Sequence, residues 1–144
     1  MFLEENKKIV RDYIEKVINT GNIKGIDKYI SENYTEIFDG KKYLLGIEGA
    51  KEHIKGVRAT YFNLHLRIDN QIAENEYVAT CITATGIHNG KWMDIKPTGK
   101  PVTFTGINID KVVNGKIVEH SGAANLFTTF LNIGAIGIVK EENK

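Results

Sequence analysis

Four histidines stand at positions 53, 65, 88 and 120 of this 144-residue chain. They are scattered, and no two of them stand at i, i+2 or i, i+4, so the spacing gives a metal site little support. His88 ends the run TCITATGIH and precedes Asn89-Gly90. An imidazole has a reference pKa of about 6.5, which suits a proton acceptor near neutral pH; the same residue reads equally well as an exposed strand end. Asn125 follows the run KIVEHSGAA at a strand-to-helix passage. Asparagine is a preferred N-cap there, and its amide can also donate to a ligand oxygen. Ser121 and Glu119 share strand parity with Asn125 if no bulge intervenes, whereas His120 falls on the other parity, toward an outer face or dimer interface. Trp92 reads as a pocket-edge or core aromatic, and Tyr34 and Tyr61 could place hydroxyls in a cavity or simply pack. His53 and His65 read as surface residues. Cys81, the only cysteine, lies mid-strand as an inert core thiol. Gly46-Ile-Glu-Gly49 lacks the spacing and the lysine of a phosphate loop.

Helical periodicity covers residues 3–19, with Ile9, Val10, Tyr13, Ile14, Val17 and Ile18 on one face, and Gly21 follows as a left-handed stop. A short helix is expected over about 22–30, a strand over Tyr34–Phe38 with a turn at Asp39-Gly40, and a helix over about Ile47–Thr60. From Leu64 the period becomes two, which predicts strands from Leu64 to Ile72, Tyr77 to His88, Val102 to Val113 and Lys116 to Ala124. Asn89-Gly90 predicts a tight hairpin turn. The segment 96–101 is a loop with two prolines, and a short apolar helix closes the chain at Leu126–Leu131. Helices first and long strands after argue α+β: N-terminal helices packed on one strongly curved antiparallel sheet, forming a cone with one pocket. Gly86 and Ala84, on the face of His88, leave volume of the kind a cavity wall needs.

The length predicts one domain, residues 1–144, large enough to build a core without disulfide or metal. Nineteen basic against eighteen acidic residues, with no basic block, point away from nucleic acid. No signal peptide and no apolar run of about 18 residues is seen, so a soluble cytoplasmic protein with no membrane partner is expected.

The segments TGIHNG, KPTGKPV and INIDKVVNGKIVEHSG, the closing apolar helix, and the upstream LGIEGAKEHIKGVRATYFNL resemble the SnoaL-like polyketide cyclases over about residues 5–135. These belong to the superfamily with the nuclear-transport-factor type of cone fold. The resemblance implies a cofactor-free acid–base reaction, the aldol ring closure of a polyketide-derived ester. The family's last strand reads Glu-His-Trp, three residues, then the acid–base aspartate; here those positions hold Glu119-His120-Ser121 and Asn125. The family's Phe-Pro-Asp-Leu is matched by Tyr61-Phe62-Asn63-Leu64, without the carboxylate, and the histidine of its Thr-His-x-Gly turn is kept as His88. An amide cannot take a proton at neutral pH, and general-base catalysis is worth about 10²- to 10⁴-fold. With the carboxylate missing, His88 is the remaining candidate proton acceptor and Asn125 a candidate donor to a carbonyl or enolate oxygen; the residue reading adds Trp92, Ser121, Tyr34 and Tyr61 as candidate substrate-binding residues, and no metal or cofactor is expected. The substrate class is a small apolar carbonyl compound. The alternatives are a non-catalytic binding protein for an apolar ligand and a dimeric structural module with a vestigial pocket. In each case a homodimer is expected, through an outer sheet face carrying Val118, Ile107 or their neighbours.

Overall fold

The computed structural model describes residues 2–142. Helix α1 (Leu3–Tyr13) runs into a π-helical turn at Ile14–Ile18, and a 3-10 turn at Ile26–Lys28 leads to strands β1 (Ile30–Phe38) and β2 (Lys41–Leu44). Helix α2 (Gly46–Thr60) follows, then β3 (Tyr61–Glu74), β4 (Tyr77–His88), β5 (Pro101–Val113), β6 (Lys116–Ala124) and the short helix α3 (Phe127–Ile133). No described helix is long and apolar enough to cross a membrane.

The six strands form one sheet in the order β2-β1-β6-β5-β4-β3. All neighbours are antiparallel except β1 and β6, so the sheet is mixed rather than purely antiparallel. The reason is the route of the chain. After α2 it enters the far edge at β3 and returns strand by strand, arriving beside β1 in the same direction. The expected 22–30 helix is reduced to its 3-10 turn because Ile30 already belongs to a strand. Asn89-Gly90 is not a hairpin turn. Both backbone N–H groups donate to Thr60 O, and a Cβ on Gly90 would sit 2.4 Å from Ala59 O. The glycine permits that close approach, while the connection to β5 runs through residues 89–100. At Asn114-Gly115 both residues do have positive φ, 49° and 77°, and the strands fold back directly.

The helices cover the concave face. Val10, Ile14 and Val17 pack with Val78, Val112 and Ile117 in the main core, and Ile54 of α2 joins them. A second cluster, Tyr61, Leu64, Val102 and Ile133, lies under α3. Bulges bend the sheet: β3 carries extra residues between Phe62 and His65 and between Ile68 and Asn70. Asn19, just past the π-turn, ties α1 to the sheet. Its Nδ2 donates to Leu66 O (2.9 Å), and its Oδ1 accepts from Leu66 N (2.8 Å). Asn19→Ala strands both half-buried backbone groups, so a loss of about 1–3 kcal/mol is expected, read as a lower urea midpoint at unchanged slope.

Candidate functional site

The bent sheet and α2 enclose a cavity of about 890 Å³. One end of its wall is aromatic. Trp92 stands edge-on to Tyr61 with centroids 5.1 Å apart, lies near Phe104 at 6.3 Å, and is backed by Phe130 at 4.9 Å. The other end is polar, built from Tyr13, Tyr34, Glu36, Asn108 and His120, with His53 of α2 also on the wall.

A histidine–carboxylate pair organises the polar end. β5 and β6 place Asp110 directly opposite His120, and His120 Nδ1 lies 2.7 Å from Asp110 Oδ1. A carboxylate only accepts, so Nδ1 carries the proton and donates it. That tautomer leaves Nε2 with its lone pair free, and the ring's one hydrogen bond among the described residues is the Nδ1 bond to Asp110. Asp110 is 4 % exposed. Burial pulls the His120 pKa down, but the Asp110 hydrogen bond, the Asp110 charge and the Glu36 charge together outweigh it and raise the net value above 6.5. Glu36 reaches His120 from the other side, because the parallel β1–β6 register sets the two side by side. Tyr34 Oη donates to Glu36 Oε1 at 3.0 Å, and His53 Nδ1 lies 3.5 Å from Glu36 Oε2. Gly122 faces Asn108, and a Cβ there would come 2.8 Å from Asn108 Oδ1, so the glycine clears space for the amide.

A bulge in β6 decides which residues share this wall. Lys111 pairs with Glu119 and Val112 with Ile117, so Val118 is an extra residue. Ile117 is thereby core, and His120 also turns inward, against the expectation that it faces outward. Ser121 pairs with exposed Ile109 on the convex face. Asn125 lies exposed past the end of β6, in a shallow convex depression with Cys81, Thr105 and Ile107. It does not cap α3, whose N-cap is Leu126 and has no side-chain cap bond. His88 shares a face with Ala84 and Gly86, as read from sequence, and that face is the concave one, but His88 is fully buried and outside the cavity wall. Its Nδ1 meets Thr98 Oγ1 at 3.0 Å, its ring stands edge-on to Trp92, and its Nε2 has no partner among the described residues. Tyr34, Tyr61 and Trp92 do line the cavity together. The residues that sequence reasoning passed over are Tyr13, Glu36, Asn108, Asp110 and His120. One signal for them was available: in GINIDKV, the polar Asn108 and Asp110 share parity with buried Val112, while the apolar Ile107 and Ile109 face out.

A cone-shaped α+β shell with a histidine–carboxylate pair on the wall of a cavity is the class of protein these features define. The model of the SnoaL-like polyketide cyclase family matches residues 8–133, and the chain belongs to that family. Among solved structures, AclR of Streptomyces galilaeus, described as a proposed hydroxylase, is 24 % identical with a TM-score of 0.80, over 94 % of this chain and 99 % of that one. A proposed SnoaL-like polyketide cyclase of Jannaschia sp. CCS1 is 17 % identical with a TM-score of 0.82, over 94 % and 96 %. A proposed polyketide cyclase of Bacillus cereus ATCC 10987 is 25 % identical with a TM-score of 0.64, over 83 % and 74 %. No curated protein matches the chain.

Proposed function

We propose that the chain catalyses cofactor-independent proton transfer beside a carbonyl group in a small, largely apolar compound, with His120 as the proton acceptor. The observation that carries this reading is the His120–Asp110 pair, which fixes the imidazole with Nε2 free on the cavity wall. Nε2 takes the α-proton, and the C–H electron pair moves into the enolate. In a ring closure the enolate carbon then attacks a second carbonyl of the same molecule, and the imidazolium returns the proton to the new alkoxide. The cyclase description of the Jannaschia protein supports this finer reading. His88 has no such role here, because its ring is sealed behind Trp92 and Thr98.

The test is α-deuteration of a panel of cyclic ketones and β-keto esters in heavy water, read by mass spectrometry. Exchange above the buffer rate is expected, rising with pH along a limb centred above 6.5, because His120 accepts a proton only when neutral and its pKa is raised. Trp92, the only tryptophan, lines the cavity, so its fluorescence reports binding of the same compounds independently. Quenching without exchange across the panel would replace this reading by ligand binding without turnover.

The convex face supports a homodimer. Ile72, Ala79, Ile109 and Ser121 form one cross-strand row, with Ile107 in the next, and Ile107 and Ile109 are 51 % and 44 % exposed. Ile109→Lys is expected to turn a dimer into a monomer by light scattering; an unchanged mass would rule out this face.

A further inference from the structure

We propose that Tyr13 is a further catalytic residue of this site, the hydrogen-bond donor to the substrate oxygen on which negative charge forms as His120 takes the proton. The assignment rests on the proton-transfer reading above. Tyr13 closes α1 at the start of the π-helical turn, and only 9 % of it is exposed. Its ring packs on Tyr29 with centroids 6.2 Å apart. The residue lines the cavity, and its hydroxyl enters no side-chain hydrogen bond seen among the described residues and is not sealed from the cavity. A phenol whose ring is buried while its hydroxyl stays accessible at the cavity wall can donate to an oxygen brought by a ligand.

Three other groups compete for the role. The Tyr34 proton is committed to Glu36 Oε1. Tyr61 is also buried, unpartnered and on the wall, but it stands among Trp92 and Phe104, at the aromatic end. Asn108 is only half-buried. Tyr13 is the unpartnered phenol close enough to the polar end to feel both of its carboxylates: burial first, then the charges of Asp110 and Glu36, hold its pKa far above the usual phenol range. It therefore stays protonated and can donate throughout the working pH range. As Nε2 removes the α-proton, the C–H pair becomes the enolate double bond and the carbonyl π pair moves to oxygen. Tyr13 donates a hydrogen bond to that oxygen and keeps its own proton. A donor aimed where charge develops strengthens in the transition state, which is what makes it catalytic rather than merely binding.

The experiment compares 4-nitrophenolate, a stand-in for the enolate, with nitrobenzene, its uncharged counterpart, by calorimetry. Tyr13→Phe is expected to weaken nitrophenolate binding by about tenfold or more and to leave nitrobenzene within about twofold. Tyr61→Phe, at the aromatic end of the wall, is expected to affect the two probes alike rather than the charged one selectively. In the exchange assay Tyr13→Phe lowers kcat by about 10²- to 10³-fold with little change in KM. In the unsubstituted protein the Tyr13 ¹³Cζ resonance moves on adding nitrophenolate and not on adding nitrobenzene, a readout that needs no variant. Equal losses for both probes, a loss confined to Tyr61→Phe, or a still Tyr13 resonance would overturn the assignment. A wild-type protein that binds nitrophenolate through Tyr13 yet exchanges no α-proton would overturn the proton-transfer reading alone.

Discussion

With glutamine at position 120, α-proton exchange falls by about 10²- to 10⁴-fold, the usual worth of a positioned general base. Glutamine keeps roughly the length and polarity of the imidazole and can still hydrogen-bond Asp110, so the wall of the cavity is kept. What it lacks is a lone pair basic enough to hold a proton at neutral pH. Neither nearby carboxylate is placed to take over. Asp110 is nearly sealed, with Oδ1 turned to position 120, and Glu36 already accepts from Tyr34. Binding separates chemistry from collapse. A ketone titrated against Trp92 fluorescence should show nearly the same affinity in His120→Gln as in the wild-type chain, because the aromatic end of the cavity is untouched. The pH limb above 6.5 should vanish together with the rate. Exchange that survives His120→Gln with its pH dependence intact would place the base elsewhere.

The fold was readable from periodicity because alternation and helical spacing act over many residues and tolerate local error. Parity alone puts Val78, Thr80, Ile82, Ala84 and His88 of β4 on one face, and all five are buried. The site was harder to read, because it depends on single-residue register. One additional residue, Val118, inverts the face of everything after it in β6. That inversion carries His120 inward and Ser121 and Asn125 outward. Counting back from the Asn114-Gly115 turn without the bulge pairs Asp110 with Glu119, and the dyad disappears from view. Asn89-Gly90 misled for a different reason. A glycine can be required by a backbone passing close by as well as by positive φ, and sequence does not separate the two. Glu36 was hidden because its partner His120 lies 84 positions away, across the parallel strand pair that closes the sheet.

Asp110→Asn is expected to cost the exchange reaction nearly as much as loss of the histidine itself, and the two losses should not add. The carboxylate accepts the Nδ1 proton and so leaves Nε2 unprotonated, as the proposed base requires. An asparagine amide can turn its NH₂ toward Nδ1, which moves the proton to Nε2 and leaves nothing on the cavity side to accept one. The analogous change in a Ser-His-Asp triad lowers turnover by about 10⁴-fold through the wrong tautomer. Residues that work as a unit fail as a unit, so the double variant should be no slower than His120→Gln alone. Stability gives a second, independent readout. The folded pKa of His120 is raised above its unfolded value, so its contribution is fully present below about pH 6.5 and is lost as pH rises through the folded pKa. Urea midpoints of the wild-type chain should therefore decline over that window. In Asp110→Asn the hydrogen bond and the nearer charge are gone, while burial still opposes the imidazolium and only Glu36 favours it. The decline should shrink and move to lower pH. A variant whose midpoint follows the wild-type curve, or whose exchange rate stays within about threefold of it, would mean that Asp110 does not set the protonation of His120.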